Sequence, residues 1–213
     1  MSTLQEIHST PLPYVLSLPP NASKQKDWPV LCFLHGRDEA APLPLQQAVT
    51  LWGPLSPKNP ARIRNEFIIV VPQLPISGDD WHLYAGSVKD IVKHVQCEHG
   101  GDPKRTYLTG FSYGGNGVFD LGIKQSDFWA ALWSVDPVRM PKEEVKPPTW
   151  LSIGEIVRPS TDAYIQQVCL NLLDEELGGD RYYLDEGQNH GGCAYMAYKD
   201  ERIYDWLITK QLS

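Results

Sequence analysis

The sequence has no cysteines at C-x-x-C spacing. Its four, Cys32, Cys97, Cys169 and Cys193, stand far apart. Structural zinc sites and disulfide frameworks draw on closely spaced, repeated cysteines, so neither is expected to organise the fold. Thiols spaced this way fit a reducing compartment. No cluster of Lys and Arg is dense enough to track phosphates: they number 19 against 26 Asp and Glu, a net charge of −7. Nucleic acid is therefore not an expected partner. The acidic residues are scattered, which serves solubility and not recognition. No apolar run approaches the ~20 residues that span a bilayer, so no membrane partner is expected. The segment Met1 to Thr10 lacks the basic stretch followed by an apolar core that marks a secretory leader. A cytoplasmic location is the resulting expectation. Internal repeats and low-complexity tracts are also missing.

What is present is an alternation. With 213 residues, 42% of them hydrophobic, the chain can bury one core, and residues 1–213 read as a single domain. Short apolar runs at Tyr14–Leu18, Val30–Leu34, Phe67–Val71, Thr106–Thr109, Ala130–Val135, Thr149–Ile153 and Arg181–Leu184 read as strands. Phe67–Val71 is a continuous β-branched run of the kind buried on both faces. The polar segment Pro19–Lys26 suits a hairpin between the first two strands. Between strands lie helical patterns. Val88, Ile91, Val92 and Val95 form one stripe of a helix over Gly86–Glu98. Ser160–Leu177 repeats the pattern with a Ser160/Asp162 start and a Gly178-Gly179 stop. Ala194–Lys210 reads as a last helix. Strands alternating with helices predict an α/β fold, a mostly parallel sheet with helices on both faces.

Gly110-Phe111-Ser112-Tyr113-Gly114 matches G-x-S-x-G. By average residue usage such a match arises by chance in roughly one chain in ten of this length, so context decides its meaning. Arg105–Thr109 before it reads as a strand and Asn116–Lys124 after it as a helix, the setting this motif needs. Glycines on both sides let the turn be sharp enough to lift the hydroxyl over the sheet edge. The helix N-terminus behind the serine favours negative charge developing there.

A serine in this role needs a base and an acid, which follow it in chain order, acid first. Of the six histidines only His190 lies beyond Ser112. It sits after the strand Arg181–Leu184, in a glycine-flanked loop. The acid should end a strand between the two. Glu155, after Thr149–Gly154, ranks first and Asp136, after Ala130–Val135, second; Asp162 reads better as a first-turn helix residue. The oxyanion would be met by the backbone N–H groups of Tyr113 and, after the strand ending in His35-Gly36, of Arg37. His35 precedes Ser112 and reads as a brace of that loop. Trp81, His82 and Tyr84 are candidate rim residues for an apolar or aromatic acyl group.

On these residues the chain resembles the α/β-hydrolase superfamily. Within it, the chain looks like the small esterase and predicted-peptidase branch, related to polyhydroxybutyrate depolymerase-like and feruloyl-esterase-like proteins. The resemblance runs from Tyr14 to the C-terminus. Its most specific pieces are Phe33–Gly36, Asp102–Gly115, and Gly187–His190 leading to Tyr204–Leu207. It implies an α/β-hydrolase fold without a cap domain and a cofactor-free, metal-free serine esterase acting on a small-molecule ester. Ser112, His190 and a carboxylate would form its triad. Amides, peptides and thioesters on the same triad, or a binding protein that keeps the fold without turnover, are the other readings. Two departures stand out. The acid loop Gly154-Glu155-Ile156-Val157-Arg158-Pro159 is two residues shorter than the family's H-G-x-x-D-x-x-x-P, and aligning its proline places Glu155 at the aspartate. His35-Gly36 is followed by Arg37-Asp38-Glu39 in place of a glycine-rich run.

Overall fold

The computed structural model describes residues 2–9, 11–22, 27–139, 141, 143–154, 171–172, 181–185 and 187–213. Among the described residues, nine strands form one sheet: β1 (Thr3–Ile7), β2 (Tyr14–Leu18), β3 (Trp28–Leu34), β4 (Ile68–Pro72), β5 (Gly101–Phe111), β6 (Ala131–Val135), β7 (Thr149–Gly154), β8 (Asn171–Leu172) and β9 (Arg181–Asp185). Their order across the sheet is β1-β2-β4-β3-β5-β6-β7-β9-β8. From β4 to β8 every pairing is parallel, while β1–β2 and β2–β4 are antiparallel. The helices are α1 (Leu45–Leu51), α2 (Ala61–Glu66), α3 (Ala85–His99), α4 (Tyr113–Lys124), α5 (His190–Ala197) and α6 (Glu201–Ile208).

Strand residues alternate between two cores. Leu31, Phe33, Ile69, Val71, Ala131, Trp133 and Val135 face one side, where α1, α2, α5 and α6 pack. Val30, Cys32, Leu34, Ile68, Val70 and Leu132 face the other, covered by α3 and α4. A strand between two helical layers has no solvent face, which is why β3 and β4 are apolar throughout and β6 is apolar but for Ser134. Helices on both faces follow directly. The stripe predicted on α3 is the buried one: Val88, Ile91, Val92 and Val95. Aromatic side chains anchor α5 and α6 beneath the sheet. Trp133 meets Tyr198 and Tyr204 with ring centroids 4.6 and 5.3 Å apart, and Trp150 meets Trp206 at 5.5 Å. The two tyrosine hydroxyls are satisfied: Tyr198 Oη lies 3.0 Å from Thr109 Oγ1, and Tyr204 Oη donates to the Tyr198 carbonyl. Each ring contributes about 2–3 kcal/mol by burial, and each such pair about 0.5–1.5 kcal/mol beyond it.

Three local readings change. Pro19–Lys26 does not close a hairpin, because β4 lies between β2 and β3 and β2 pairs with β4 instead. A polar connection shows that the chain turns, not which edge it returns to. The last helix divides into α5 and α6 at Asp200, whose side chain accepts from the Arg202 N–H and caps α6; local capping wins over a continuous helix there. Within the expected helix Ser160–Leu177, residues Asn171–Leu172 pair with β9 as a short strand. The remainder of that span lies outside the described residues. An apolar spacing alone does not separate a short buried strand from a helix. Among the described residues, no helix is long and apolar enough to cross a membrane.

The parallel register brings one set of strand ends together. Leu34 pairs with Gly110, Phe111 with Val135, and Val135 with Ser152. The residues that follow these ends therefore share one edge of the sheet, the edge where open α/β sheets bind ligands.

Candidate active site

Ser112 joins β5 to α4 with φ 59° and ψ −116°. A non-glycine residue in this region costs about 1–3 kcal/mol, and its surroundings must hold it there. They do: the Ser112 N–H donates to the Val135 carbonyl at 3.0 Å, and the Ser112 carbonyl accepts from the Asn116 N–H at 3.1 Å. The crowding that demands glycine is visible at Gly114, where a Cβ would stand 1.9 Å from the Leu34 carbonyl oxygen. Only a bare α-carbon lets α4 start this close to β3. Ser112 itself is 9% exposed.

Asp136 follows β6 directly. It is fully buried, has φ 41°, and its N–H donates to the Ser152 carbonyl at 2.8 Å. Its Oδ1 accepts the Gly154 N–H at 3.2 Å, and its Oδ2 accepts from His190 Nδ1. His190 opens α5, whose cap is the Asn189 side chain accepting the Gly192 N–H at 2.9 Å. The imidazole rests on the ring of Phe111, centroids 4.5 Å apart, next to Ser112 in the chain. The Nδ1–H bond to a carboxylate leaves Nε2 as the ring's basic nitrogen.

Among the described residues, Asp136 is the acid candidate brought to His190. Glu155, ranked first from the sequence, lies outside the described residues, as does Asp162. Asp136 reaches the site because β6 lies beside β5 and ends level with the serine turn.

Arg37 begins a 3-10 turn, Arg37–Glu39, at the end of β3. Its guanidinium carbon lies 5.8 Å from the centre of the Tyr113 ring, so the side chains of the two expected donor residues meet. His35 braces this loop. Its Nε2 accepts the Leu74 N–H at 3.0 Å, its Nδ1–H donates to the Gly36 carbonyl, and its ring packs edge-on against Trp81 at 4.9 Å. Burial pushes the His35 pKa down to about 4, against a smaller opposing pull from the Gly36 carbonyl.

Of the three expected rim residues, Trp81 is buried. Trp81 is 1% exposed, and its indole N–H donates to the His35 carbonyl at 3.1 Å, so it is a core residue supporting the loop from below. His82 faces Asp80 and Asp120 at 4.0 and 3.9 Å. The Tyr84 hydroxyl donates to Asp79 at 2.6 Å. An aromatic after a strand end reads equally well as packing, and here packing prevails. Besides Phe111, the aromatic nearest this corner of the site is Trp52, which packs on Phe111 and reaches Gly191, next to His190 in the chain. Its ring lies 5.6 Å from that of Phe111, and a Cβ on Gly191 would stand 3.1 Å from Trp52 Cη2. Sequence gives no signal for it, since it follows α1, far from the motif. Asn116 was also unread. Its Oδ1 accepts the N–H groups of Val138 and Arg139 at 2.9 and 3.1 Å, tying α4 to the loop that carries Asp136. Its place just after the serine motif was a usable cue. Among the described residues, no three of His, Cys, Asp and Glu gather where they could hold a metal ion.

No family model matches the chain, and no curated protein sequence matches it significantly. Solved structures do. A thermostable esterase superposes with a TM-score of 0.73 at 17% identity, over 99% of this chain and 63% of its own. The chain thus spans under two thirds of that esterase's length. The feruloyl esterase module from Clostridium thermocellum gives 0.69 at 12% identity, over 95% of this chain and 87% of its own. An S-formylglutathione hydrolase from Staphylococcus aureus gives 0.67 at 12% identity, over 97% and 96%. These likenesses define the architecture: the chain has the α/β-hydrolase fold.

Proposed function

We propose that this chain is a serine hydrolase that cleaves carboxylic esters, with Ser112 as nucleophile, His190 as base and Asp136 as its orienting carboxylate. The observation that carries the reading is the His190–Asp136 hydrogen bond, with the imidazole seated on Phe111 beside the strained Ser112 turn. The solved structures of this fold described above, two esterases and a hydrolase by their names, lend it support.

His190 Nε2 takes the Ser112 proton as Oγ attacks the ester carbonyl carbon, and Asp136 stabilises the imidazolium that results. The N–H groups of Arg37 and Tyr113 receive the negative oxygen, with the α4 N-terminus adding its dipole. The tetrahedral species collapses, and the leaving alkoxide takes the imidazolium proton and departs as the alcohol. Water then gives a proton to His190 and attacks the acyl-serine. Ser112 is released with that proton, and the carboxylic acid leaves. The buried Asp136 carboxylate suits this work because two donors already hold it, one on each oxygen.

The test is hydrolysis of p-nitrophenyl esters of increasing chain length. The wild-type chain turns over at least one of them, and Ser112→Ala lowers kcat by about 10⁴ or more. Equal rates for the two proteins overturn the reading.

A further inference from the structure

Glu39 is a buried carboxyl for which the acyl-transfer steps have no use. It closes the turn that begins with Arg37, it is 7% exposed, and its Oε2 has no hydrogen-bond partner. A buried polar oxygen in that condition is costly to keep, so its surroundings call for an explanation. A Cβ built on Gly36 would stand 2.8 Å from Glu39 Oε2 and 3.5 Å from Ser112 Cβ. The carboxyl and the serine therefore press on the same bare α-carbon, and any side chain at Gly36 would displace the carboxyl. Gly36 is bonded to Arg37, whose N–H is the second oxyanion donor of the proposed reaction.

The carboxyl also has ties beyond the loop. Burial raises the Glu39 pKa, while hydrogen bonding from its own N–H, the Gly36 N–H and the Trp52 side chain opposes that rise; Asp38 adds to it. Trp52 lies on Phe111, whose ring carries the His190 imidazole, and against Gly191.

We propose that Glu39 is a positioning residue for acyl transfer: tucked against Gly36 beside Ser112, its carboxyl fixes the loop so that the Arg37 N–H faces the oxyanion. It acts through Gly36 and does not touch the substrate. The inference rests on the serine-hydrolase reading above. Losing one oxyanion donor outright costs about 10²–10³ in kcat. A loosened loop that still presents the donor part of the time should lose about 30-fold or more. KM, set mainly by contacts the substrate makes before charge develops, should change little.

The experiment compares Glu39→Ala, Glu39→Gln and Glu39→Asp with wild type for kcat and KM on the best p-nitrophenyl ester, with Tm measured alongside. Glu39→Ala is expected to lose about 30-fold or more in kcat with KM within about threefold. Glu39→Gln keeps the shape and an acceptor oxygen, and is expected within about threefold of wild type. Glu39→Asp withdraws the group by one methylene and is expected to lose at least about tenfold, which serves if the alanine variant fails to fold. A lower Tm with wild-type kcat in the alanine and aspartate variants overturns the inference and leaves the hydrolase reading standing. A Glu39→Gln variant as slow as Glu39→Ala also overturns it. If the wild-type chain turns over no ester, both fall together.

Discussion

His190 and Asp136 are 54 residues apart in the chain and joined by one hydrogen bond, Nδ1–H to Oδ2. The bond forms because β6 lies beside β5 and α5 is clamped under the sheet, so the acid and the base arrive at one edge from opposite sides of β7. The Gly154 N–H holds Oδ1 while Oδ2 accepts from the imidazole. Asp136 is thereby fixed in rotation as well as in place.

Replacing Asp136 by Asn keeps the shape but exchanges an acceptor for a group that can present N–H to Nδ1, which favours the wrong tautomer. The expected loss is about 10³–10⁴ in kcat, with the fold intact by circular dichroism. Glu155→Gln, measured on the same ester, is expected to stay within about tenfold of wild type. Steady-state kinetics on the two variants decides between the two carboxylates.

His35 ties the fold to pH. Its neutral ring accepts the Leu74 N–H, and burial lowers its pKa from 6.5 to about 4. A histidine with a lowered pKa stabilises the fold in its neutral form. The contribution is complete above pH 6.5, where neither folded nor unfolded chain is protonated at this site. It is lost as the pH falls, because the unfolded chain takes up the proton first. By pH 4 the loss amounts to about 3 kcal/mol. Urea unfolding between pH 7 and pH 4 should show this decline in wild type. In His35→Gln, where no proton is taken up, the decline should be smaller by about that amount.

Trp81 separates support from recognition. Trp81→Phe removes the donor to the His35 carbonyl and leaves that oxygen buried, at a cost of about 1–3 kcal/mol. A fall of about 2–12 °C in Tm is the expected thermal reading. Preference among acyl chain lengths should not move. Trp52→Ala should shift that preference, since its ring lies against Gly191 beside the base.

Gly114 tests the elbow itself. A Cβ there would overlap the Leu34 carbonyl at 1.9 Å, and backbone on both sides leaves nothing to swing away. Gly114→Ala should cost at least about 3 kcal/mol, about 6–12 °C in Tm, because helix α4 must shift away from β3. Gly86→Ala is the control, since a Cβ at that position meets nothing within 4 Å.

Much of this was legible in the residues. The β-branched runs located the buried strands, the Val88–Val95 stripe located α3, and the G-x-S-x-G turn with chain order pointed to Ser112 and His190. These signals are local, or need only the direction of the chain. What the residues did not carry was lateral order. Nothing in Pro19–Lys26 says that β4 will slip between β2 and β3, and nothing beside Trp52 says that it will reach Gly191. The acid failed to resolve for the same reason. Asp136 and Glu155 both end strands, and only the side-by-side register of β5, β6 and β7 brings Asp136 to the imidazole. Trp81 was read as rim because a pattern gives composition and not depth.

The central claim is that Ser112 is a nucleophile activated by His190. Incubation with a fluorophosphonate followed by intact-mass and peptide mass spectrometry tests it most directly. The account predicts one covalent adduct on Ser112, absent in Ser112→Ala and formed at least about 10³ times more slowly in His190→Ala. A folded wild-type chain that takes up no reagent, or an adduct that survives Ser112→Ala, would contradict it.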